Sequence, residues 1–168
     1  MAGFHVLVAD LSKADLYTLP SRRGGLSKTK GFVNTAARRP ERALGSGAPG
    51  RVMSSGGVRH AFEARSTMKQ HVEEQFVRRV TASVDKALAA EPSSRLILVA
   101  APRLLGLYRR FLPEAVLGRL TIEIRHDLGK TPFAELQERV RAALAVPLPI
   151  APTTARAIAR RRKHPAGR

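Results

Sequence analysis

Arg95-Leu96-Ile97-Leu98-Val99-Ala100-Ala101 is a near-continuous apolar run after Pro92-Ser93-Ser94 and before Pro102. A strand exposed on one face alternates apolar with polar residues; a run without alternation is a strand covered on both faces, the pattern of a parallel or mixed sheet flanked by helices. Upstream, Ser66 begins a helix pattern. Ser66 or Thr67 is the expected cap, and Met68, Val72, Phe76, Val80, Ala87 and Leu88 recur at three- and four-residue steps. Glu74 and Arg78 stand four apart in the favourable order for an ion pair. Downstream, Pro102-Arg103-Leu104-Leu105-Gly106 reads as a turn leading into a helix through about Leu112, and Pro113 opens a shorter one to Leu117. Arg119 to Arg125 alternates as an outer strand. Thr131-Pro132-Phe133-Ala134-Glu135 is a helix start, with Thr131 as expected cap and Leu136, Val140, Ala143 and Leu144 as the apolar face.

Toward the N-terminus, Phe4 to Asp10 is an apolar, β-rich run expected at the sheet centre. Asp15 to Leu19 returns after a turn, and Leu26 to Val33 reads as a more polar edge strand carrying lysines. The order β-β-β, loop, α, β, α, β, α predicts an α/β layered domain with a mixed sheet flanked by helices. We place that domain at residues 1–145. Residues 146–168 follow as a basic, proline-containing tail expected to be disordered.

Charge is the strongest compositional signal. Lys and Arg total 30 against 13 acids, a net charge of +17. Six bases and no acid fall in 146–168, among them Arg160, Arg161 and Arg162, and ten bases against two acids fall between Arg22 and Arg65. A polyanion such as RNA, DNA or an anionic membrane face is the natural partner for that balance, whereas solubilising charge is the bland alternative. The chain has no cysteine, which excludes disulfides, thiolate metal sites and cysteine nucleophiles. No run approaches the roughly 18 apolar residues of a membrane span, and the N-terminus lacks a cationic leader, so the chain reads as cytoplasmic.

Gly50-Arg51-Val52-Met53-Ser54-Ser55-Gly56-Gly57-Val58-Arg59-His60-Ala61-Phe62-Glu63 joins the aperiodic basic stretch to the long helix. Gly56 and Gly57 permit a sharp turn with outward amides, and Arg51, Arg59 and Arg65 flank it, a plausible seat for phosphate. A surface loop whose glycines only make turns is the alternative. Neither P-loop nor dinucleotide spacing occurs, and no cofactor is implied. His60, Glu63 and His71 lack metal-ligand spacing, and none is assigned as a ligand. Asp10 and Asp127, each near a strand end, read as turn caps rather than a catalytic carboxylate pair.

Val6 to Asp10, Gly50 to Glu63, Lys69 to Phe76, Leu96 to Gly106 and Glu123 to Leu128 together resemble the bacterial "protein required for attachment to host cells" family, over most of residues 4–144. That family is similar to the middle domain of archaeal and eukaryotic peptide-chain release factors, where a Gly-Gly-Gln loop precedes a long helix and an apolar strand. The resemblance implies an RNase H-like fold and a non-enzymatic, RNA- or ribosome-directed binding role. Val58 stands where the release factors have glutamine, and its side chain offers no hydrogen bond to orient a hydrolytic water. The alternatives are a host-attachment factor acting through protein or envelope contacts, directly or indirectly, and a hydrolase using the Gly-Gly loop with His60 and Glu63.

Overall fold

The computed structural model describes residues 3–38, 57–126 and 131–146, with the side chains of 38 and 57–66 outside that description. Strands β1 (Phe4–Ala9), β2 (Lys13–Leu19) and β3 (Ser27–Val33) come first, then a 3-10 turn at Ala36–Arg38. Helix α1 (Gly57–Ala90), strand β4 (Arg95–Ala100), helices α2 (Pro102–Phe111) and α3 (Glu114–Leu117), strand β5 (Leu120–Arg125) and helix α4 (Phe133–Ala145) follow. The strands form one mixed sheet in the order β3-β2-β1-β4-β5. β1 pairs antiparallel with β2 and parallel with β4, and β4 pairs parallel with β5. β1 is thus the centre and β3 an edge, as the apolar run and the lysines foretell.

The pleat sends alternate side chains into two cores. Leu7, Ala9, Leu16, Leu96, Leu98 and Ala100 meet α1 and α2 on one face. Phe4, Val6, Tyr17, Leu19, Ile97 and Val99 meet Leu136, Val140 and Leu144 of α4 on the other. Residues 96–100 are all buried, which explains the unbroken apolar run.

Three local expectations are corrected. α1 begins at Gly57, not at Ser66, so neither Ser66 nor Thr67 is its cap. No glycine or proline follows Gly57 until Pro92, so nothing breaks the helix between them. Glu73 and Phe76 of α1 are buried, whereas Met68 is exposed. Secondly, Glu74 pairs with Arg110 of α2 rather than with Arg78. Thirdly, the residue at the N-cap of α4 is Pro132, not Thr131, which stands one position earlier with its hydroxyl 2.8 Å from His126 Nε2.

Two arginines close helix ends. Arg119 Nη1 donates to Leu88 O at 2.6 Å and its Nη2 to Ser94 O at 2.6 Å, where α1 ends. Arg22 Nη1 donates to Leu144 O at 2.9 Å at the end of α4. A cation there satisfies unpaired carbonyls and complements the helix dipole.

Ile97 is fully buried between the layers. Ile97→Asp puts an unpaired charge there and is expected to cost several kcal/mol, a large share of a domain's stability. A soluble variant that melts like the parent would contradict the central position of β4.

Tyr108 is also fully buried, and its hydroxyl has no hydrogen-bond partner among the described residues. Burial pushes its phenol well above the ordinary range, and the charge of Asp10 adds to the shift. A raised folded-state value contributes stability that is fully present below the unfolded value of about 10 and is lost as pH rises above it. Tyr108→Phe is therefore expected to be neutral to stabilising by roughly 1 kcal/mol near pH 7, and to reduce alkaline sensitivity above about pH 10 in thermal melts. A clear loss of stability near pH 7 would show that the hydroxyl has a partner.

Candidate functional site

β1, β4 and β5 all point their carboxyl ends the same way, and in open α/β sheets that edge is where ligands bind. The β1–β2 turn is fixed there by Asp10, whose Oδ1 accepts from Ser12 N at 2.6 Å, Ser12 Oγ at 2.8 Å and Lys13 N at 2.7 Å. Asp10 is thus a turn cap. Buried Asn34 ties β3 to the same turn: its amide nitrogen donates to Leu11 O at 3.1 Å and its backbone N–H to Ser12 O at 2.7 Å. The chain enters the 39–56 segment from this rim.

α1 reaches the rim from the opposite end. Its C-terminus leads into the start of β4, so it runs back along the sheet toward the carboxyl ends. At 34 residues it is about 50 Å long, against about 20 Å for a six-residue strand. Positions 67–71 are all exposed, more than a full turn, so no described residue covers the helix there. The first turns of α1 therefore extend past the sheet edge.

Glu73 is the first buried residue of α1 from position 67 onward, and Arg103 in the first turn of α2 donates Nη2 to its Oε2 at 2.7 Å. Glu73 Oε1 has no partner among the described residues. Lys13 stands at the same rim at the start of β2, and Arg125 at the end of β5. Neither side chain has a hydrogen-bond or ion-pair partner among the described residues, and both residues are exposed. Other bases are engaged inside the body: Arg109 pairs with Glu123, which raises its guanidinium pKa further, and Lys28 pairs with Asp15 at 2.7 Å. Net charge alone therefore overstates what a partner meets.

Of the residues singled out in sequence, Gly57, Arg59, His60, Glu63 and Arg65 lie in the opening turns of α1, on a helix rather than in a loop. Gly57 is thus helical, and the sharp turn expected of the glycine pair is not at that residue. Arg51, Gly56, Arg160, Arg161, Arg162 and Asp127 lie outside the described residues, as does the 146–168 segment beyond Val146. His71 is exposed and contacts Gln75 at 2.8 Å. Among the described residues no three His, Asp or Glu side chains gather as a metal set. Nor is any helix among them long and apolar enough to cross a membrane.

Sequence reasoning missed the seam between α1 and α2. There Arg103 meets Glu73, Arg110 meets Glu74, and Arg78 lies 4.3 Å from the centre of the Phe111 ring. The only signal was the Arg110-Phe111 pair, and Arg110 meets Glu74 36 positions away in the chain.

No curated protein matches the chain. A solved structure described as "Archaeal protein" superposes with a TM-score of 0.50 at 12% identity, over 96% of this chain and 38% of that one. This chain thus corresponds to well under half of that structure's length, and at such identity the likeness shows the fold alone. Residues 5–140, most of the chain, match the family described as "Protein required for attachment to host cells", and the chain belongs to that family.

Proposed function

We propose that this protein is a non-enzymatic, RNA- or ribosome-directed binding domain of release-factor-middle-domain-like, RNase H-like type. The observation that carries the reading is the overshoot of α1. The helix begins at Gly57 and extends past the sheet edge, and its opening turns carry Arg59 and Arg65; Gly56 precedes it in sequence. A helix N-terminus has unpaired amides and a positive dipole, which favour phosphate. Arg51 precedes that end in sequence, and Arg160, Arg161 and Arg162 of the tail add charge without fixed geometry. Val58 in place of glutamine argues for binding without peptidyl-tRNA hydrolysis. A hydrolase built on His60 and Glu63 has no further observation in its favour.

The family description supports a second reading, host-cell attachment through protein or envelope contacts. The material that co-purifies separates the two: nucleic acid absorbing near 260 nm for the first, envelope components for the second.

Phosphate contacts carry no base information, so Arg51→Ala and Arg59→Ala are expected to weaken RNA binding about equally across sequences. Each lost contact flattens log affinity against log salt by about 0.7 for single-stranded RNA. The melting temperature is expected to stay nearly constant. Unchanged affinity and unchanged salt slope in both variants would leave the glycine–arginine end as solvated surface.

The tail is proposed to be dispensable for folding. Truncation after Leu144 is expected to leave the melting temperature nearly unchanged, since the segment offers little apolar surface to bury. A large drop would mean that the tail docks on the body.

A further inference from the structure

The α1–α2 seam carries a second cationic feature that the helix tip does not explain. The Arg78 guanidinium carbon lies 4.3 Å from the centroid of the Phe111 ring, and that of Arg110 lies 4.8 Å from the same centroid. These two distances hold the charges within about 9 Å of each other, inside the roughly 8–10 Å over which moderate salt screens. Two cations so placed repel. Glu74 pairs with Arg110 and offsets one of them. The Arg78 side chain has no carboxylate or hydrogen-bond partner among the described residues, and both arginines are exposed.

The seam is therefore left one positive charge in excess, on a guanidinium that an aromatic ring orients. A guanidinium has five N–H donors, and only Nη2 of Arg110 is engaged among the described residues, so nearly all the donors of the pair face outward. Stacking on Phe111 also reduces the side-chain freedom that a ligand contact would otherwise remove. Seven residues earlier in α2, about 10 Å along its axis, Arg103 has a side chain 67% exposed and donates a single bond to Glu73. Arg103 stands at the carboxyl-end rim, the same end toward which α1 projects. The exposed guanidiniums of Arg78, Arg110 and Arg103 thus form a row leading to that rim.

We infer that Arg78 and Arg110, oriented by Phe111, form a phosphodiester-binding subsite on the α1–α2 seam that takes the backbone of single-stranded RNA passing toward the tip of α1. Planar guanidiniums suit this task because they grip phosphate oxygens in pairs. The inference rests on the RNA-directed reading above and adds a contact surface to it. Arg103 is unsuitable as the test position. Removing it would strand the buried Glu73 carboxylate and confound binding with stability.

The test is fluorescence anisotropy of the full chain with a labelled oligouridylate across a series of KCl concentrations. The Arg78→Ala/Arg110→Ala double variant is expected to lose about tenfold or more in affinity, from two charge-assisted contacts. Its salt slope is expected to flatten by about 1.4. Phe111→Leu is expected to weaken binding less and to leave the slope nearly unchanged, because the charges remain while their orientation is lost. As a readout independent of folding of the variants, RNA is expected to protect Arg78 and Arg110 of the unaltered protein from phenylglyoxal, and to leave Arg119 as it is without RNA. Unchanged affinity and slope in a folded double variant, or no protection of the two arginines, overturns the subsite. The RNA-directed reading survives that result if Arg51→Ala and Arg59→Ala still weaken binding. A parent protein that binds no oligouridylate even at low salt overturns both.

Discussion

The parallel pairing of β1 with β4 is the constraint from which the rest of the architecture follows. The two strands run in register from Phe4 opposite Arg95 to Ala9 opposite Ala100. Strands joined in parallel need a long crossover, which a hairpin cannot supply. α1 is the helix of that crossover. It covers the face bearing Leu7, Leu96 and Leu98, while α4 covers Val6, Ile97 and Val99. β2 and β3 extend the sheet outward by hairpin, so the chain must return from the β3 edge before α1 can begin. β3 ends at Val33 on the carboxyl-end rim, the same rim at which the N-terminal part of α1 lies.

Arginine serves two purposes in this chain. Arg119 and Arg22 satisfy carbonyls at helix ends, and Arg109 is held by Glu123. These residues contribute to folding and offer little to a partner. Arg78, Arg103 and Arg110 are different, because each presents an exposed guanidinium on the α1–α2 seam. Pairing with consecutive acids of α1, Glu73 and Glu74, sets the positions of Arg103 and Arg110 without using up their donors. A high isoelectric point alone cannot separate the two purposes.

Much of the fold was legible in the sequence because its signals are local. The unbroken apolar run at 96–100, the lysines of the β3 edge, the Pro113 helix start and the Asp10 turn cap each depend on a few adjacent residues, whereas α2 starts at Pro102, inside the stretch that reads as a turn. The start of α1 was misread because Ser66 and Thr67 look like caps, yet a cap residue does not end a helix that nothing upstream breaks. Thr131 looked like a cap for the same reason, but its hydroxyl is engaged by His126. The Glu74–Arg78 expectation failed because tertiary packing gave Glu74 a better partner on α2 and Arg78 an aromatic ring. In the candidate site, the glycine pair and the flanking arginines were visible as composition. The seam was not, since Arg78 and Phe111 belong to different helices and meet only once α2 has packed on α1.

The most direct measurement is sedimentation of the tagged full-length protein through a sucrose gradient of cell lysate at low salt, with and without ribonuclease. Co-migration with ribosomal fractions, lost on ribonuclease treatment or on raising the salt to about 0.5 M, is the expected result for a phosphate-gripping RNA partner. A protein that stays at the top of the gradient at low salt, whether or not ribonuclease is added, contradicts the RNA-directed role.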